Sequence, residues 1–326
     1  MKILSKFKAM STWKKVLVSL VIVALVLVLV VAAVAGYLAH SVTKDIDTVP
    51  IKHSKGVKQN PDAINFLVLG SDVRLDASNA QSWKEGGNRT DAMMLMQVSP
   101  KNNTATIMSI PRDSWVDIPG HKKAKINAAF SWGGPSLAVE TVESLTKVHI
   151  DHFALVNFET FKSLTDELGG VEIATQAGTK NMNGEQALAF VRERHALPNG
   201  DFDRVKRQQA WMRAIMSKVF AGDVLNSPSK TYSFVQTALK DATVDEDLTT
   251  STMMSIAAKA KNIRGRDIIF LTAPTTGVGR SADGQSIVNL DFKKLEELMN
   301  AWVGDDLNKY IKEQGSELSY LSNKVN

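Results

Sequence analysis

Ile64-Asn65-Phe66-Leu67-Val68-Leu69-Gly70-Ser71-Asp72-Val73-Arg74 is an apolar run that stops at a glycine and gives way at once to a carboxylate and a guanidinium. Its apolar residues are continuous rather than alternating, so it reads as a strand covered on both faces. If the extended conformation continues, Asp72 and Arg74, two residues apart, share a face. Two more strands follow, Ala92–Val98 and Thr104–Ile110, joined by the hairpin loop Ser99-Pro100-Lys101-Asn102-Asn103. Pro135–Thr146 carries Leu137, Val139, Val142 and Leu145 at helical spacing, with Pro135 suited to a first turn. Further along, the pattern predicts a strand over Phe153–Asn157, a helix over Phe158–Leu168 stopped by Gly169-Gly170, and a short strand over Val171–Ile173. Asn183–Ala189 starts a helix, Arg204–Phe220 is a long amphipathic one, Ile268–Leu271 is a strand, and Asp291–Lys312 reads as a final helix. Strands and helices alternate, which predicts an α/β (α+β) fold: one domain around a central mixed sheet flanked by helices. No internal repeat and no shift in composition divides it.

The chain has 326 residues, 44% apolar and 22% charged, with a formal charge of +5 and no cysteine. The last fact excludes a disulfide framework, thiolate metal sites and a cysteine nucleophile. The positive charge sits at the N-terminus, where Lys2, Lys6, Lys8, Lys14 and Lys15 meet no acid; the remainder balances 34 basic against 34 acidic residues. The bulk of the chain therefore has no global electrostatic attraction to nucleic acid.

No charged side chain occurs from Val16 to Thr43, and Val16–Ala39 is almost wholly Val, Leu, Ile and Ala. That stretch exceeds the roughly 20 residues a helix needs to span a bilayer. Lysines before it and Asp45 and Asp47 after it place residues 1–15 in the cytoplasm and the rest outside. A cleaved signal peptide ending near Ala33-Val34-Ala35 is the rival reading, but the apolar run is long for one. Both readings export the large domain. The expected organisation is a transmembrane signal-anchor over 16–39, an extracellular stalk over 40–63, a catalytic domain over 64–312 and a polar, frayed tail over 313–326.

Arginine is scarce, eleven against twenty-eight lysines. It is the residue a site uses when a rigid fork must grip phosphate or carboxylate. Seven of the eleven fall in four short windows. These are Asp72 with Arg74, Arg89 with Asp91, Arg112 with Asp113, and a longer window holding Arg192, Arg194, Arg204, Arg207 and Gln208. Each lies at the end of a predicted element, where ligand sites of α/β sheets gather. Two carboxylates among many guanidiniums suit a divalent ion and a polyanion. Asp72 and Asp91 are candidates to share Mg²⁺, and the arginines to neutralise a pyrophosphate. Structural ion pairs are the plainer reading of any single window. His121, His149, His152 and His195 show no ligand spacing and read as ordinary. No Gly-x-Ser-x-Gly, His-Glu-x-x-His or P-loop occurs, which weighs against a serine hydrolase, a zincin or an NTPase.

With these residues in view, the chain resembles the LytR-CpsA-Psr family of cell-envelope enzymes. The resemblance rests on Asn65–Arg74, Asn88-Arg89-Thr90-Asp91-Ala92-Met93-Met94, Ser109-Ile110-Pro111-Arg112-Asp113 and Lys125-Ile126-Asn127-Ala128-Ala129-Phe130. It continues through Asp166–Glu172, Gly184–Leu188, Val191-Arg192-Glu193-Arg194 and Gly200–Gln209. It runs from about residue 64 to 215 and fades after 225. It implies a phosphotransferase outside the membrane, with a polyprenyl-pyrophosphate-linked glycan such as a teichoic acid or capsule polymer as donor. The sugar phosphate goes to a peptidoglycan hydroxyl and polyprenyl phosphate is released. The resemblance further implies Mg²⁺ or Mn²⁺ on Asp72 and Asp91, and a pyrophosphate held by Arg89, Arg112, Arg192, Arg194, Arg204 and Gln208. Arg74 and Lys125 match positions less firmly tied to a role, and Asp91 or Asp113 is the candidate base. The polyprenyl tail would lie in an apolar tunnel, lined by faces that read equally well as solid core. Two features depart from the family: Asp203 stands where a glycine is usual beside the arginine, and Leu75–Gly87 forms a polar loop with Trp83 between Asp72 and Asp91. Hydrolysis of the lipid pyrophosphate, a non-catalytic envelope regulator and an inert wall scaffold are the competing functions. A transcriptional role is opposed by the topology, since residues 1–15 are too short for a DNA-binding fold.

Overall fold

The computed structural model describes residues 47–71, 90–193, 197–198, 200–221, 224–304, 306–314 and 318–326. The predicted membrane-spanning segment Val16–Ala39, the cytoplasmic residues before it and the Leu75–Gly87 loop lie outside the described residues. So do Asp72, Arg74, Arg89 and Arg194. Among the described residues no helix is long and apolar enough to cross a membrane.

The opening run forms β2 (Ile64–Gly70), preceded by β1 (Asp47–Val49). Then come β3 (Ala92–Ser99), β4 (Thr104–Ser109) and the small hairpin of β5 (Trp115–Val116) and β6 (Ala124–Lys125). Helix α1 (Ala128–Thr146) is bent at Gly134 (φ 64°, ψ −155°), and Pro135 opens its second segment, as its fixed φ favours. After β7 (His152–Val156) come α2 (Phe158–Glu167), the hairpin of β8 (Val171–Thr175) and β9 (Gly178–Met182), α3 (Gly184–Arg192) and α4 (Asp201–Phe220). The C-terminal third supplies α5 (Pro228–Lys240), β10 (Thr243–Asp245), α6 (Thr250–Ala260), β11 (Ile268–Thr272) and the hairpin of β12 (Thr275–Arg280) and β13 (Ser286–Leu290). Helices α7 (Phe292–Val303) and α8 (Leu307–Gln314) and the short β14 (Ser319–Tyr320) complete it.

Among the described residues the main sheet has eight strands in the order β1-β10-β7-β2-β3-β4-β11-β14. β2 is parallel to β7 and antiparallel to β3, and β4 is parallel to β11. The C-terminal ends of β2, β7, β4 and β11 therefore share one edge of the sheet. Alternation along β2 sorts the layers. Leu67 and Leu69 join Leu95, Met108 and Leu271 against α1 and α7, where Phe130, Val142, Leu298 and Trp302 are buried. Phe66 turns to the other face, with Val235, Leu239 and Ile263 of the α5–α6 region. Each fully buried leucine there contributes about 1.5–3 kcal/mol by leaving water. Polar ties fix α7 to the sheet: the Trp302 indole N–H donates to Asn65 Oδ1 at 2.9 Å, and Gln97 Nε2 donates to the Trp302 carbonyl at 2.9 Å. Gly70 sits opposite Ala92, where a Cβ would lie 3.1 Å from the Ala92 Cβ.

Three expectations change. Residues 47–63 are not a free stalk. β1 pairs with β10, Val49 is buried, and Lys58 bonds the chain beside α1. The final helix is two helices, because the chain turns at Gly304, whose N–H caps the Asn300 carbonyl. The tail is not frayed over 318–326. β14 extends the sheet beside β11, Leu321 N–H donates to the Phe270 carbonyl, and Val325 packs into the core under β8.

Candidate active site

Backbone pairing brings two of the arginine windows, those of Asp91 and Arg112, to one end of the sheet, beside the end of β2. Asp91 N–H donates to the Gly70 carbonyl at 2.8 Å, Ile110 N–H to the Met93 carbonyl at 2.9 Å, and Ser71 N–H to the Val156 carbonyl at 3.1 Å. The end of β2 thus lies beside the start of β3, which is flanked on its other side by the end of β4. Helix α4 begins there too, entered through Gly200 in a left-handed conformation (φ 53°).

The centre of the cluster is the Asp91 carboxylate. Its Oδ1 accepts from Arg112 Nη1 and, at 3.4 Å, from Arg204 Nη1, while Arg204 Nη2 reaches the Asp91 carbonyl at 3.4 Å. The Asp91 side chain is 41% exposed, Arg112 18% and Arg204 5%. A partly open carboxylate is thus backed by two largely buried forks. Burying a guanidinium is costly unless charge meets it, so Arg204 is bound to an anion here. Beside this cluster Lys125 Nζ contacts Asp113 Oδ1 at 3.1 Å. Asn127 N–H holds the Arg112 carbonyl at 3.2 Å and Ile126 N–H the Ser114 carbonyl at 2.8 Å, which fixes the turn carrying both residues.

Arg192 ends α3 with its guanidinium over the Phe158 ring at 4.4 Å, and Phe158 lies two residues past the end of β7, so it lies at the same end of the sheet. Arg207 is turned elsewhere. It donates to the Phe190 carbonyl at 3.0 Å and to the Asn326 carbonyl at 2.5 Å, and it stacks on the Phe190 ring at 4.1 Å. Burial lowers its pKa, against the opposing charges of Glu193 and Asp203. Gln208 is half-buried, whereas its neighbour Gln209, which the sequence reading passed over, is buried. Gln209 Nε2 donates to Ser109 Oγ and the Leu271 carbonyl, both at 2.9 Å. It ties α4 to the ends of β4 and β11 and so positions Arg204 above Asp91. Asp203, the departure from the family, is buried and accepts from Asn326 Nδ2 at 2.8 Å, with Lys206 Nζ at 3.5 Å. A cavity of about 150 Å³ adjoins the cluster, between Pro111, the first turns of α4 (Phe202, Val205) and the end of β11 (Thr272, Ala273).

The oxygen chemistry suits a hard cation. Asp91 is a carboxylate whose Oδ1 is held by arginines. Next to it in sequence the fully buried Thr90 hydroxyl has no hydrogen-bond partner among the described residues. Mg²⁺ takes one or two carboxylates and completes its shell with phosphate oxygens and water.

The family profile named LytR_cpsA_psr matches residues 31–303. The chain belongs to the LytR_cpsA_psr family. It is 31% identical over 312 residues to the polyisoprenyl-teichoic acid–peptidoglycan teichoic acid transferase TagU of Enterococcus faecalis, covering 89% of this chain and 98% of that one. It is 27% identical over 293 residues to the cell wall biosynthesis protein LcpA of Corynebacterium glutamicum, covering 74% of this chain but 56% of LcpA. In three dimensions it is similar to TagT bound to LI-WTA (TM-score 0.60, 25% identity, 79% of this chain and 99% of that one). The family match extends well past residue 225, where the motifs give out, because the C-terminal third builds sheet strands and core rather than site.

One cluster escaped the sequence reading. His149, read there as ordinary, lies with His53 against the buried Glu143 of α1. His53 lies ninety positions before Glu143, so no spacing motif could reveal the cluster.

Proposed function

We propose that this family member is a membrane-anchored phosphotransferase that moves a polyprenyl-pyrophosphate-linked glycopolymer, of the teichoic acid kind, onto peptidoglycan outside the cell. The observation that carries the reading is the Asp91 carboxylate gripped by Arg112 and Arg204 at the sheet end where α4 begins. Helix α4 aims the positive end of its dipole at this place, which favours a phosphate. Arg112 and Arg204, joined by Arg192 and by Arg89 and Arg194 of the flanking segments, bind the pyrophosphate and hold it in line. They also offset the charge that develops on its oxygens. Asp72 and Asp91 would hold Mg²⁺ or Mn²⁺, which when bound neutralises pyrophosphate charge. A sugar hydroxyl of peptidoglycan attacks the glycan-side phosphorus, and its bond to the oxygen of polyprenyl phosphate breaks. The hydroxyl proton passes to a carboxylate at the site, Asp91 or Asp113.

The polyprenyl chain runs between the sheet and α4. Val68, Met94, Met96 and Ile107 on the sheet meet Met212 and Met216 there. Methionine side chains repack at small cost, which suits a seam that must open for lipid. Val16–Ala39 supplies the anchor that holds the domain at the lipid surface.

Incubating the protein with a short lipid-pyrophosphate glycan and peptidoglycan fragments tests the reading. Glycan joined to the acceptor, with loss of transfer on chelation, is expected. Release of free glycan phosphate without joining would mark a hydrolase instead.

A further inference from the structure

We infer that the chain holds a second metal site, for Zn²⁺ or a similar borderline divalent ion, formed by His53, Glu143 and His149. It lies in the last turns of α1, apart from the arginine cluster. Among the described residues these three form the single group of histidine and acidic side chains whose ligand atoms converge, all within 4.8 Å of one another.

Glu143 is wholly buried. A buried carboxylate is tolerated where a cation or several donors meet it. Backbone amides hold it rigidly: Ser54 N–H donates to Oε2 at 2.5 Å and Ile150 N–H to Oε1 at 3.0 Å. The same Oε1 lies 2.9 Å from His53 Nδ1 and 3.2 Å from His149 Nδ1. An oxygen with two lone pairs, one already given to Ile150, cannot serve both imidazoles equally well. One cation between them resolves the conflict, taking a lone pair from each ring and the remaining one from Oε1. Zinc bonds of about 2.0–2.1 Å set neighbouring ligand atoms roughly 3.3 Å apart in a tetrahedron, close to the two distances from the imidazoles to Oε1.

Three further observations fit. The amides of Ser54 and Ile150 supply the outer hydrogen bonds that orient a ligating carboxylate. The C-terminal end of α1 presents the negative pole of its dipole. His53 and His149 are 39% and 23% exposed, which gives an ion a path to the buried oxygen. The donor set of two imidazoles and one carboxylate selects zinc-like ions over Mg²⁺. Such an ion would clasp the segment after β1 to α1, where Ser54 Oγ and Ser144 Oγ already meet at 2.9 Å and the Lys52 amide bonds Ser136 Oγ at 3.2 Å.

The test is titration of the full chain, stripped with chelator, by ZnCl₂, followed calorimetrically and by thermal unfolding. One Zn²⁺ per chain with micromolar or tighter affinity is expected, with a rise of a few degrees in the melting temperature. In the His53→Ala/His149→Ala variant, affinity should fall at least about 100-fold. Its melting temperature in chelator should stay near that of the wild type, since both rings are partly exposed. Co²⁺ in place of zinc should give the intense visible bands of a tetrahedral site, lost in the same variant. Absence of binding by the wild type, or binding undiminished in the double variant, would overturn the inference.

Discussion

Arg204 and Arg207 are one turn apart on α4, and the structure gives them opposite work. Arg204 is buried and meets Asp91, while Arg207 meets Phe190 and Asn326. Arg204→Ala should lower the rate of transfer by about 10²–10³-fold, the usual loss of a positioned charge donor at a transition state. Its melting temperature should fall by only a few degrees, because the half-open Asp91 regains water. Kinetics beside thermal unfolding checks this, and near-wild-type transfer would remove Arg204 from the site. Arg207→Ala should do the reverse, costing about 1–2 kcal/mol of stability through its lost hydrogen bonds and leaving transfer within about tenfold. Urea unfolding of that variant decides, and lost transfer with unchanged stability would return Arg207 to the anion site. The sequence made the arginine windows visible because the residue is scarce and sits at element ends. It could not separate Arg204 from Arg207, since helical spacing puts both near one face and only the burial of their partners distinguishes them. Gln209 was invisible for the same reason, as its role depends on the carbonyl of Leu271, distant in sequence.

Elements with strong periodicity were legible. β2, β3, β4, α2 and β11 lie within a residue or two of their sequence reading, because continuous apolar runs and glycine stops mark them directly. Short edge elements were not. β1 and β14 have three and two residues and carry no pattern; their partners across the sheet, β10 and β11, make them strands. The single helix expected over 291–312 failed at Gly304, where the amphipathic pattern continues on both sides of the turn and hides it. Packing of the tail has a measurable consequence. Deleting residues 318–326 removes β14 and exposes the pockets of Leu318 and Val325, worth about 3–6 kcal/mol together. The urea midpoint of the shortened chain should drop accordingly, and an unchanged midpoint would mean that the tail is not docked in solution.

Across the whole molecule, parallel and antiparallel pairings gather the ends of β2, β7, β4 and β11, the start of β3 and the first turn of α4. That convergence turns windows more than a hundred residues apart into one charged centre. The motif residues were readable in advance, but their convergence depends on topology, which periodicity does not specify. With hard oxygen donors at the centre, chelator should abolish transfer and Mg²⁺ or Mn²⁺ should restore it, whereas activity indifferent to chelator would refute a role for the ion. The most direct measurement is transfer by residues 44–326, which contain every described element, from a short lipid-pyrophosphate glycan to peptidoglycan fragments, comparing wild type with Asp91→Ala. Wild type is expected to release polyprenyl phosphate with the glycan joined to the acceptor, and Asp91→Ala to do neither while remaining folded. Lipid bound without any release by the wild type, or transfer unimpaired in Asp91→Ala, would contradict a transferase centred on this carboxylate.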